Sequence, residues 1–371
     1  MISHDLEIAT LEDAIVAPIY RDSGNRVNRG GVINHKGEVE KQSLLYRNFS
    51  QIIFPPSSAA SVIETCDEEH IFAGFLFNHF GHFILESLAR VWAVRQVSNS
   101  PIVWATDGEL NAWQREICET LGFANRVRTL KGPTRFKKLL LPDVGYRSQD
   151  YIHPNHAKFL GAYSRSQDDE KGPPLWLSRS ALRGKQTISG EGEFEQALKK
   201  RGWDIVHPEQ LSITKQLALI AKASVVAGVE GSALHAVVLV DQLSGPLVVF
   251  RRLFNQNYRT IASVKNIVQY DFIGAIGRSK SLIKSDLIFV SAERSASMLD
   301  EVRQRHQNDA CNAEAVSVQN LPKLSIYQDD VEQLTSLNLS NQNPGLNVAL
   351  NFLGTAIAEK IRRTCRGNRL R

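Results

Sequence analysis

Cysteine is scarce and scattered in this 371-residue chain. Cys66, Cys118, Cys311 and Cys365 show neither CxxC spacing nor clustering, which argues against a structural zinc site and a disulfide framework. Long apolar runs are missing as well, and none approaches the roughly 18 residues of a membrane-spanning helix. The first ten residues, with Asp5 and Glu7, lack the basic-plus-apolar pattern of a secretory signal. The expectation is a cytoplasmic protein, or one peripheral at the inner face of the plasma membrane. No early strand runs into GxGxxG and no Walker A loop is present, which argues against an NAD-dependent oxidoreductase and a P-loop enzyme. Neither charge sign dominates: the net charge is +5, too weak for a dedicated nucleic-acid binder. The Asp168-Asp169 and Asp329-Asp330 pairs sit in polar segments rather than after buried strands. No metal and no cofactor are expected.

What is present is ordinary for a globular protein, with 43% hydrophobic and 22% charged residues. The length suits two domains with full cores, or one with extensions. Residues 1–70 read as irregular structure with short strands, including a hairpin signal where Gly31-Val32-Ile33 and Val39 flank His35-Lys36-Gly37. A strand at 102–105, a helix at 110–121 and the run Leu139-Leu140-Leu141 suggest an α/β layer. Residues 164–174 are polar and end in two prolines, which marks a linker. Beyond it, strands at 175–177, 205–206, 225–227 and 247–250 alternate with helices, the signature of a parallel, Rossmann-like sheet. The expected domains are therefore 1–163, the 164–174 linker, 175–290 and a C-terminal extension, 291–371, whose order weakens. That extension holds an amphipathic helix at 346–361 and a basic tail. Two readings fit the tail: a peripheral contact with an anionic membrane, or a terminal helix packed on the protein with a solvated end.

The most informative stretch is Asn78-His79-Phe80-Gly81-His82-Phe83-Ile84-Leu85-Glu86-Ser87-Leu88-Ala89-Arg90. Ile84, Leu85, Leu88, Val91 and Trp92 recur at helical spacing, with Gly81 as the entry. On that helix His82 and Glu86 share a face, so the carboxylate can fix the imidazole tautomer and strengthen the other nitrogen as a base. The plainer reading is a buried histidine satisfied by a neighbouring carboxylate. His79 is the second candidate base, placed on the acceptor side.

Ligands of open parallel sheets bind beyond the carboxyl ends of the strands. Arg179 follows the strand at 175–177, with Arg183 and Lys185 close behind. Gly228, Glu230, Gly231 and Ser232 follow the strand at 225–227 and open an apolar helix at 233–240. Glycines there let the backbone approach a phosphate at the helix start, although they also suit a simple tight turn. A nucleoside diphosphate fits, with Glu230 or a neighbour on the ribose hydroxyls. A cationic leaving-group site facing a His–carboxylate pair is the plan of a two-domain glycosyltransferase, and neither part requires a metal. The alternative is a non-catalytic nucleotide-binding or scaffold protein that keeps the fold.

Four ordered pieces resemble the bacterial type of family 61 glycosyltransferase. They are Gly30-Gly31-Val32-Ile33 through Gly37; the run from Gly81 to Arg90; Leu175-Trp176-Leu177-Ser178-Arg179; and Gly202-Trp203 through Pro208-Glu209-Gln210-Leu211-Ser212 to Glu230-Gly231-Ser232-Ala233-Leu234-His235. The resemblance implies a GT-B-like architecture, two Rossmann-like domains facing a cleft, with an inverting mechanism. Its implied substrates are a nucleotide-sugar donor and a glycan or lipid-linked glycan acceptor, in bacterial surface polysaccharide biosynthesis. It places His82 and Glu86 in catalysis, and Arg179, Lys185, Gly228, Glu230, Gly231, Ser232 and His235 on the donor. After Arg179 the chain departs from the family, with Lys185 where an arginine and Gly190 where an asparagine is usual.

Overall fold

The computed structural model describes residues 5–311, apart from 48–49, 57–60, 98, 167–169, 183–186, 254, 279–286 and 290. Lys185, both Asp-Asp pairs, the expected helix at 346–361 and the basic tail lie outside the described residues.

The molecule is mixed α/β, built on two main sheets. The first has seven strands in the order Ile53–Phe54, Asn28–Ile33, Ile8–Arg21, Thr134–Pro142, Glu64–Phe72, Ile102–Val103, Val127–Arg128. Ile8–Arg21 runs antiparallel to both its neighbours, whereas the four strands from Thr134–Pro142 to Val127–Arg128 are mutually parallel. The amino-terminal region is thus more regular than its sequence suggests. Its 14-residue strand is disguised by Glu12, Asp13 and Pro18, and the pairing register with Asn28–Ile33 shifts between Ala17 and Tyr20. A bulge there accommodates a proline that has no N–H to offer the ladder. The turn at 34–38 forms as expected, with Ile33 bridged to Val39.

The second sheet is wholly parallel, in the order Asp204–Val206, Leu175–Leu177, Val226–Val229, Leu247–Phe250, Gln269–Phe272. The four expected strands are there, and a fifth is added. Helices Glu191–Lys199 and Ile213–Lys222 make the crossovers, the latter capped by Ser212 accepting from the Lys215 N–H. In chain order the strands run 2-1-3-4-5, so the order reverses between Leu175–Leu177 and Val226–Val229. Ligands of such sheets sit at that switch point.

Alternate side chains of each strand divide between the faces. Leu175, Leu177, Leu247 and Val249 join a core shared with Ile71, Phe83, Leu88 and Ile117 of the first half. Trp176, Val248 and Phe250 face the opposite way and pack with Phe194 and Leu299. Helix Ala292–Cys311 supplies Leu299 and lies on Glu191–Lys199, where Trp203 Nε1 donates to Asp300 Oδ1 at 3.1 Å. Order therefore persists to 311, beyond the expected limit near 290. The segment's polar appearance is that of a helix with a single buried stripe. Among the described residues no helix is long and apolar enough to cross a membrane.

Candidate active site

The His82 segment is helical but not one α-helix. A short α turn, Phe80–His82, widens into a π turn at Phe83–Ser87, then tightens into a 3-10 helix at Val91–Arg95. The Leu88 N–H reaches the Phe83 carbonyl five residues back, at 3.1 Å. Such π turns concentrate at functional sites. Ile84, Leu85 and Leu88 are buried as the spacing implies, and Trp104 Nε1 anchors the turn through the Ser87 carbonyl.

His82 Nδ1 lies 3.1 Å from Glu86 Oε2, the imidazole half-exposed and the carboxylate buried. A third member joins them that the sequence did not reveal. Arg47, at the end of strand Tyr46–Arg47, grips Glu86 with Nε on Oε1 and Nη2 on Oε2, both at 2.6 Å. Burial pushes the Glu86 carboxyl up, but the hydrogen bonds from His82 and Arg47 outweigh it and hold the group below its ordinary range. An ionised Glu86 accepts the His82 Nδ1–H, which leaves Nε2 with the lone pair. The His79 ring sits 4.8 Å from that of His82.

Across from this group is the turn that follows Val226–Val229. The stretch expected as an α-helix is a 3-10 helix, Ser232–Leu239. Gly81 meets it closely: a Cβ there would fall 2.8 Å from His235 Nδ1 and 3.0 Å from Ser232 Cβ. The two histidine-bearing motifs therefore touch because residue 81 has no side chain. His235 is buried, stacks on Tyr258 with ring centroids 5.0 Å apart, and neither ring nitrogen has a hydrogen-bond partner. Burial, reinforced by His82 and His79, pushes its pKa down to about 3. It is a neutral packing group at this position.

Arg179 leaves the end of strand Leu175–Leu177, its N–H donating to Glu191 Oε1 at 2.9 Å. Its Nε is buried without a partner, and a Cβ on Gly231 would fall 2.5 Å from its Nη1. Burial raises the Glu191 carboxyl to about 7, against the opposing pull of Arg179. Gly228 lies within its strand, packed against the Leu177 carbonyl and Leu234. Glu230 is turned inward, only 2% exposed. Its carboxylate accepts from the backbone N–H groups of Arg252 and Leu253 at 2.8 and 2.6 Å, and from that of Asn255, with Arg251 beside it.

A pocket of about 530 Å³ opens at the switch point. Asn78, His79, Phe80 and Trp113 of the first half line it together with Arg179, Ile213, Gly231, Ser232 and Arg252 of the second. His82 stands next to His79, outside the lining itself. Arg252 and Trp113 were missed in the sequence, though both follow carboxyl ends of parallel strands, Leu247–Phe250 and Ile102–Val103. The strand-end rule points to such positions. Among the described residues no cluster of three or more His, Cys, Asp or Glu side chains is arranged to hold a metal.

No curated protein compared with the chain matches it. Residues 80–245 do match the family model described as Glycosyltransferase 61. That stretch begins at the His82 turn, crosses the Arg179 strand end and stops after the Ser232–Leu239 helix, so it holds most of the pocket lining, with Asn78, His79 and Arg252 outside it. By this match the chain is a glycosyltransferase enzyme, and its residues 80–245 are similar to the Glycosyltransferase 61 family.

Proposed function

We propose an inverting transfer of a sugar from a nucleotide-sugar donor to a hydroxyl of a glycan or lipid-linked glycan. The observation that carries this reading is the meeting of two chemistries at one switch-point pocket. The first half presents His79, with the His82–Glu86–Arg47 group beside it, and the second presents Arg179, Arg252 and the start of the Ser232–Leu239 helix. In this reading His82 Nε2 removes the acceptor hydroxyl proton as the oxygen attacks the anomeric carbon. The bond from that carbon to the diphosphate oxygen breaks on the opposite face, which inverts the centre. The two guanidiniums and the N–H groups at Ser232 and Ala233 receive the negative charge that grows on the diphosphate. Protein cations thus supply the leaving-group stabilisation that a metal supplies in other designs.

The halves 1–163 and 175–290, joined at 164–174, would then form a GT-B-like pair with the donor on the second. A role in bacterial surface polysaccharide assembly rests on the family resemblance alone.

His82→Ala tests the assignment. Transfer should fall by two to four orders of magnitude, roughly the contribution of a general base. Nucleoside diphosphate affinity, read by thermal shift, should stay near that of the parent. Preserved transfer with lost nucleotide binding would remove His82 from the base role.

A further inference from the structure

The aromatic corner of the pocket takes no part in the reaction outlined above. Trp113 stands on the first turn of helix Ala112–Thr120 and lines the pocket beside Asn78, His79 and Phe80. Its indole is clamped edge-on against Phe83, centroids 5.2 Å apart, and tilted against Phe80 at 5.5 Å. The helix start is itself tied to the histidine segment. Asn111 and Gln114 form a capping box, Gln114 Nε2 donates to the Phe77 carbonyl at 3.0 Å, and Asn111 Nδ2 donates to Asn78 Oδ1 at 2.7 Å.

Three of the other tryptophans differ from Trp113 in one respect, whereas Trp176 Nε1 is buried without a partner. Trp92, Trp104 and Trp203 each donate the indole N–H to a protein oxygen. Trp113 makes no such bond among the described residues, although its ring is only partly buried on a pocket wall. A rigid aromatic face with an unengaged N–H, a carboxamide and an imidazole alongside, is a surface for a ligand with an apolar face and a polar edge. A pyranose ring has that character: C–H groups on its face and hydroxyls around its rim. A nucleobase also stacks on indole. The position favours the first, because the start of the Trp113 helix is hydrogen-bonded to Phe77 and Asn78, directly before the histidine segment that holds the base. The group that must lie beside the base is the acceptor.

We propose that Trp113, with Phe80 and Asn78, forms the acceptor subsite and stacks on a pyranose ring of the acceptor. The inference rests on the reading of the pocket given above and assigns its sugar-binding side. Rigid stacking lowers the ordering cost of bringing the acceptor hydroxyl to the base.

The test uses the full chain with two sets of probes. One is a panel of methyl glycosides of glucose, galactose, mannose and N-acetylglucosamine, and the other is UDP, GDP, dTDP and CMP. Binding of each is followed by ligand-observed NMR. At least one glycoside should bind saturably to the parent protein. Trp113→Ala should weaken it on the order of tenfold, the cost of removing an aromatic anchor, while Trp113→Phe retains most of the affinity. The nucleotide affinity of both variants should stay within about twofold of the parent. Weakening of the nucleotide on the order of tenfold by Trp113→Ala would assign the indole to the nucleobase and overturn the proposal. So would unchanged glycoside binding in that variant, or no saturable glycoside binding to the parent. Failure of every nucleotide to bind the parent would instead strike the donor assignment, while the glycoside arm still reports on Trp113.

Discussion

At the scale of single residues, the His82–Glu86 pair depends on a cation from a distant part of the chain. Arg47 is 39 residues before Glu86 and holds both carboxylate oxygens. An opposite charge at this range lowers a carboxyl, and here it works against burial. Arg47→Met should let burial prevail, so that Glu86 titrates at a higher pH. The acid limb of the kcat–pH profile is expected to move to higher pH. Nucleotide affinity should be little changed, since Arg47 does not line the pocket. Arg47→Lys should rescue part of the shift, because a point charge replaces a two-pronged grip. A fall in kcat with an unshifted profile would show that Arg47 acts only through packing. This residue also marks where sequence reading stops. The placement of His82 and Glu86 on one helical segment, and of Arg179, Gly231 and Ser232 after strand ends, was legible because helical periodicity and strand ends are local signals. The Arg47 contact is a product of tertiary folding and leaves no spacing to read. Glu230 shows the same limit, since the backbone partners of its carboxylate lie 22 and 23 residues further along the chain.

At the scale of elements, legibility followed the regularity of the strands. The second sheet was plain because Leu175–Leu177 and Leu247–Phe250 are short continuous apolar runs between helices. Glu64–Phe72 was opaque because its Asp67, Glu68 and Glu69 fall at a register shift, which breaks the alternation that identifies a strand. The π turn could not be read at all, since the His82–Glu86 spacing is the same in an α-helix. The turn after Val226–Val229 yields a prediction that separates binding from folding. Gly231 has an extended backbone, φ −176°, so Gly231→Ala introduces no conformational strain. Its new methyl would meet Arg179 Nη1, the far end of a flexible side chain. The guanidinium should swing aside, weakening nucleoside diphosphate binding on the order of tenfold, about 1.4 kcal/mol, with Tm almost unchanged. At Gly81 the same methyl meets the packed His235 ring and Ser232, so overpacking should cost about 1–3 kcal/mol of stability. Calorimetry with nucleotide titration on both variants checks the contrast. A large Tm loss in Gly231→Ala would mean that Arg179 is not free to move.

At the scale of the whole molecule, the two sheets share one buried core, and ionisable groups inside it should govern how stability varies with pH. His156 and His235 are both enclosed without hydrogen-bond partners for either ring nitrogen. Burial pushes each from the ordinary 6.5 down to about 3. A histidine with a depressed folded-state pKa leaves the folded protein neutral while the unfolded chain takes up a proton. Its contribution is therefore complete above pH 6.5 and is lost as pH falls toward 3. Within that window each such group costs roughly 1.4 kcal/mol per pH unit. Glu191 has the opposite sign. Its carboxyl is raised from 4.5 to about 7, so its contribution is complete below 4.5 and is lost as pH rises through 7. Two histidines outweigh one glutamate between 6.5 and 4.5, and stability should decline on the acid side. His156→Leu isolates one of the two, because it removes the proton-binding site while keeping an apolar side chain against Gly145. Its stability relative to the parent should rise by about 2 kcal/mol between pH 7 and pH 5, whatever its offset at pH 7. Urea melts at the two pH values measure this directly. Parallel pH dependence in the two proteins would show that His156 is protonated in the folded state, contrary to its burial.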